Sequence, residues 1–123
     1  MTCWQSVLIS DMALYHKDIF LPAAARALRF AVMLRYSAHA RRAATNDRYG
    51  DINLPRVFNS DNAELVEAEV ENGKVRKMVY RQPYNGENDL VIVLNPDGLV
   101  RTVWLNQTND SHRTLDTTKY ATA

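Results

Sequence analysis

The spacing of apolar residues changes partway along the chain. From residue 64 onward it alternates. In 64–71, Val66, Ala68 and Val70 fall on one face and Glu67, Glu69 and Glu71 on the other, which is the period of a strand. Asn72-Gly73 follows, the pair favoured in a tight type I′ turn where both residues need positive φ. Residues 74–82 make the return strand. Residues 89–94 are apolar on both faces and predict a central strand. Asn95-Pro96-Asp97-Gly98 predicts a turn, and 99–106 a fourth strand. Before residue 50 the composition is that of helices. "FLPAAARALRFAVMLRY" is rich in Ala, Leu, Arg and Met, and Pro22 suits a first turn. A helix is expected through about residue 34. The alternation of Phe30, Val32, Leu34 and Tyr36 also admits a strand there. Ser37 is a suitable N-cap for a helix from Ala38 to about Asp47, with Gly50 as its stop.

Helices first and an antiparallel meander second predict an α+β fold, with N-terminal helices packed on a four-stranded sheet. The 123 residues suit one domain. Its helical layer is expected over about 12–48, its sheet over about 63–106 and a polar tail over 107–123.

Charge adds one refinement. The net charge is +1, which gives no global signal for nucleic acid. Residues 1–50 nevertheless hold seven Lys/Arg against three Asp/Glu, and residues 51–72 hold one Arg against six acids. A local basic surface is therefore compatible with the neutral total. Cys3 is the single cysteine, which fits a reducing, cytoplasmic compartment and excludes a cysteine-based zinc set. Asp11, His16, Lys17 and Asp18 interrupt the N-terminal apolar stretches, so neither a signal peptide nor a membrane span is expected.

The candidate chemistry lies in two places. On 74–82, Lys77 and Arg81 share a parity, as do Thr102 and Trp104 on 99–106. A sheet face with cations, a hydroxyl and an indole can hold a phosphate and stack a base. His39 has Arg42 three residues on, on the same helix face. His112 stands in "DSHRTLD". Two histidines can divide base and acid between them in metal-independent RNA cleavage. Asp110, His112 and Asp116 make a poor metal set, and no nucleotide-binding or hydrolase motif is present.

The S-x-H-A order at Ser37–Ala40, the Arg-bearing helix, the hairpin and "LVIVLNPDGLVRTVWLN" together resemble the barnase, EndoU, colicin and RelE group of toxin-type ribonucleases. Gly98, Val100 and Thr102 match the G-x-[IV]-x-T pattern of their late strand. The resemblance covers about 36–120 and departs from the group at Ala43, where many relatives carry a second arginine. It implies a metal-independent endoribonuclease with no cofactor, RNA as substrate and a cognate inhibitor protein as partner. By position it makes His39 a general base, Arg42 a phosphate ligand and Thr102 a polar site group. His112 and Tyr120 enter on chemistry alone. Lys77, Arg81, Trp104 and Tyr120 are the expected RNA-binding set. The alternative is a non-catalytic binding or accessory protein, such as a phage-type protein or assembly subunit, using the same fold.

Overall fold

The computed structural model describes residues 12–110 and 117–123. Its strands are β1 (Met12–His16), β2 (Ala31–Met33), β3 (Arg35–Tyr36), β4 (Val57–Asn59), β5 (Glu64–Glu71), β6 (Lys74–Pro83), β7 (Asn88–Leu94) and β8 (Leu99–Gln107). Its α-helices are α1 (Ala23–Arg26) and α2 (Ala38–Thr45). Six strands form one sheet in the order β1-β5-β6-β7-β8-β3, and β2 pairs with β4 in a separate ribbon. Within the large sheet β3 runs parallel to β8, and every other neighbouring pair is antiparallel.

The expected architecture is corrected at its N-terminal half. No helical layer spans 12–48: that stretch holds β1, the single turn α1, then β2 and β3, and only α2 is a helix of more than one turn. The four expected strands are present as β5 to β8, but as the middle of a six-stranded mixed sheet and not as a complete meander. The cause is burial. Phe30, Val32, Leu34 and Tyr36 pack against the core, while Ala31, Met33 and Arg35 between them are exposed. A period of two lets this segment cover one flank of the core, and the packing overrides weak helix propensity.

One sheet face carries the core. Register aligns Leu65, Tyr80, Ile92 and Val103 across four strands, and Ala68, Met78, Leu94 and Val100 beside them. Ala40 and Ala44 of α2 and Phe58 of β4 close over this face. The Asn72-Gly73 turn forms as the dipeptide predicts, with φ of 52° and 79° and Glu71 paired to Lys74. Gly98 ends the second turn at φ 96°, and a Cβ there would lie 2.4 Å from the Met33 carbonyl oxygen. That close approach seats the 95–98 turn against β2.

Tyr36 joins the β3 edge to the loop beyond α2 by donating its hydroxyl to the Pro55 carbonyl. Burial pushes its pKa up to about 12. An unfolded tyrosine ionises near about 10, so above that pH the unfolded chain releases a proton that the native chain keeps. The contribution is complete below pH ~10 and is lost as pH rises towards ~12. Tyr36→Phe is expected to be less stable than wild type at pH 8, and to lose less stability on going to pH 11. Urea unfolding at the two pH values checks this. Equal alkaline losses in the two proteins would exclude Tyr36 as the source.

Candidate nucleic-acid interface

The two-residue β3 pairs only with the start of β8 and leaves the rest of that strand's edge uncovered. Helix α2 fills the gap. Ser37 caps it by accepting from the Ala40 N–H at 3.0 Å, and donates its own hydroxyl to the Arg101 carbonyl at 3.0 Å. The Ser37 N–H bonds the Val100 carbonyl at 3.0 Å. At the far end, Asp47 Oδ1 accepts the Leu105 N–H at 3.0 Å. The helix thus runs along β8 from Val100 to Leu105 and protects an edge that would otherwise invite strand pairing. The small Ala40 and Ala44 let it approach closely.

This placement turns His39, Arg41 and Arg42 outward, all exposed. Arg101 is exposed on β8 beside the helix start, and Arg48 lies just past the helix end. Among the described residues none of Arg41, Arg42, Arg48 and Arg101 has a carboxylate partner. The guanidinium of Arg48 stands 4.8 Å from the Tyr49 ring centroid. Exposed cations thus surround α2 and its two ends, with His39 in the first turn of the helix, and none of them is paired with a carboxylate of the described residues.

The remaining candidates occupy the sheet face opposite the core. Register aligns Arg81, Val91 and Trp104, and Val79, Val93 and Thr102 beside them. Lys77 belongs to the same face by alternation. Trp104 is 36% exposed and Thr102 is half-buried. The cations here are engaged. Lys77 lies 3.7 Å from Glu69. Arg81 donates from Nε to Asp89 at 2.6 Å, from Nη2 to the carbonyls of Gln107 at 2.6 Å and Thr108 at 3.3 Å, and from Nη1 to that of Asp110 at 3.0 Å. It fastens the exit of β8. Tyr120 is buried, donates to Glu67 at 2.6 Å, and meets the His16 ring edge-on at 5.1 Å between centroids. Next to it the Ala121 N–H bonds the Leu14 carbonyl at 2.8 Å, tying the tail to the outer edge of β1.

The predicted residues therefore form two groups. His39 and Arg42 lie on α2, and Lys77, Arg81, Thr102, Trp104 and Tyr120 lie on the far sheet face. Both groups border β8: α2 is anchored to its backbone at Val100, Arg101 and Leu105, and β8 itself bears Thr102 and Trp104. His112 falls outside the described residues. The stretch Tyr36–Gly50 already sets His39 among Arg41, Arg42 and Arg48 in the sequence, whereas Tyr49 and Arg101 were passed over; the signal for Tyr49 was "DRYG", an aromatic beside a cation in a turn that follows a basic helix. A groove of about 830 Å³ at the end of the far face is lined by Asp18, Asp61, Glu64, Asp89 and Asp110 against Lys17 and Arg81. That balance repels phosphate. No helix among the described residues is long and apolar enough to cross a membrane. No family model, curated protein or solved structure matches the chain.

Proposed function

We propose that this protein binds RNA along the edge where α2 lines β8 and cleaves it without a metal ion, as a ribonuclease of toxin type. The observation that supports the reading is the exposed His39 on α2 together with Arg41, Arg42, Arg48 and Arg101 on and around that helix, cations that no carboxylate of the described residues neutralises. Guanidinium forks match phosphate geometry, and such charges release counterions when RNA binds. An imidazole is the side chain most often used to move a proton in such chemistry.

In this reading Arg42 holds the scissile phosphate and His39 takes the proton of the 2′-hydroxyl. The 2′-oxygen bonds to phosphorus and the bond to the 5′-oxygen breaks. His112 gives a proton to that leaving oxygen. The products are a 2′,3′-cyclic phosphate and a 5′-hydroxyl. Thr102 is a polar group for the ribose or phosphate at the β8 edge.

Purified protein with end-labelled RNA tests the reading. Cleavage is expected to persist in excess EDTA. Charge reversal of both Arg41 and Arg42 to Glu is expected to reduce the salt dependence of log K by about 1.4, or ~0.7 for each lost contact to a single strand. An unchanged salt slope would exclude this surface, and loss of cleavage on chelation would exclude the metal-free mechanism.

A second reading is a non-catalytic RNA-binding protein. It is favoured by the engagement of Lys77 and Arg81 with Glu69 and Asp89, which leaves phosphate binding to the arginines around α2. Binding through the same arginines with no product in any buffer would select it.

A further inference from the structure

The proposed RNA surface has a feature that arginines alone do not explain. Both oxygens of Asp47 are used: Oδ2 accepts the Tyr49 N–H at 3.0 Å and Oδ1 accepts the Leu105 N–H at 3.0 Å. One carboxylate therefore pins the Arg48-Tyr49 turn to β8 at the residue next to Trp104. Tyr49 is 38% exposed and Trp104 36%, although Val103 and Leu105 on either side of Trp104 are buried at 2%. Trp104 pairs across the sheet with Val91, which is 3% exposed, so it shields a buried neighbour and still presents ring surface. The Tyr49 ring lies beside the Arg48 guanidinium.

We infer that this edge is built for unpaired RNA, with phosphates on the arginines around α2 and bases on Tyr49 and Trp104. The inference rests on the RNA-binding reading and narrows it to single strands. In a duplex the bases are stacked on one another, and an A-form helix offers proteins its backbone, its 2′-hydroxyls and a shallow groove. Exposed rings gain nothing from that surface. In a loop or single strand each base has a free face that stacks on an aromatic side chain, whatever its identity. A positively charged surface carrying such rings is the arrangement that binds a single strand.

The test uses the full chain with Trp4→Phe, which leaves Trp104 as the sole tryptophan. Its fluorescence and affinity are measured with a 2′-O-methyl oligouridylate, which cannot be cleaved, and with a 2′-O-methyl duplex of equal length. The single strand is expected to quench Trp104 and to bind roughly tenfold tighter than the duplex. In chains that retain Trp4, Tyr49→Ala and Trp104→Leu are each expected to weaken single-strand binding about tenfold by anisotropy, with duplex affinity and salt slope unchanged. Leu keeps an apolar cover over Val91, and a thermal melt verifies that each variant folds. Equal affinity for the two forms, or a Trp104→Leu protein that binds the single strand as wild type does, overturns the inference and leaves RNA binding standing. Binding of neither form overturns both.

Discussion

Arg81→Ala is expected to lower the unfolding temperature by roughly 10–20 °C, a larger change than any substitution on α2 should produce. The Arg81 side chain is 12% exposed and that of Asp89 15%. All three guanidinium nitrogens are donors, to one carboxylate and three carbonyls. Truncation leaves the Asp89 charge with little water and no cation, and strips the carbonyls of Gln107, Thr108 and Asp110 of their shared donor. Breaking a buried pair from one side costs about 3–5 kcal/mol, against a total stability of about 5–15 kcal/mol for a domain of ordinary size. Arg81→Lys should recover part of the loss, since an ammonium can meet Asp89 but cannot also span three carbonyls. Circular dichroism melts of the three proteins check this order. A melting point for Arg81→Ala within about 2 °C of wild type would show that the clasp contributes little.

The clasp also marks where sequence reading reached its limit. Parity alone puts Arg81 on the face of Trp104. That Asp89 and three carbonyls would take its fork depends on the β6–β7 register, which pairs Arg81 with Val91 and leaves Asp89 diagonal to it. Features that depend on neighbours in sequence were legible: the Asn72-Gly73 turn, the four strands from 64 to 107, the Ser37 cap and the helix behind it. The sheet edges were not. β1 pairs with β5 across some fifty residues of chain, and β3 is two residues long, so neither has a local pattern to announce it. In 30–36 two signals conflicted. Composition favoured a helix and alternation a strand, and burial of Phe30, Val32, Leu34 and Tyr36 decided for the strand. At the site, the basic helix was visible as "HARR". Its position along β8, which makes Arg101, Arg48 and Tyr49 its neighbours, follows from hydrogen bonds between residues about sixty apart in sequence.

His39→Ala is expected to reduce the rate of RNA cleavage about 100- to 10,000-fold while leaving affinity for uncleavable RNA nearly unchanged. The position makes this a clean substitution. His39 is exposed in the first turn of α2 and contributes nothing to the buried face made by Ala40 and Ala44. Alanine is a better helix former than histidine, so the helix and its Ser37 cap should persist. The fold should then stay within about 0.5 kcal/mol of wild type. Loss of proton transfer falls on the transition state and appears in kcat. Loss of a phosphate contact appears in binding as well. Arg42→Lys supplies the contrast. It keeps the charge but loses the planar fork, and should weaken RNA binding with a smaller effect on the chemical step. Imidazole added to His39→Ala should restore part of the cleavage, since a diffusible base can enter an exposed site vacated by the side chain. Single-turnover cleavage of labelled RNA, read with and without imidazole and EDTA, separates these outcomes. If His39→Ala cuts as fast as wild type, His39 is not the base. If neither protein cuts while both bind RNA through Arg41 and Arg42, the arginines around α2 serve binding alone.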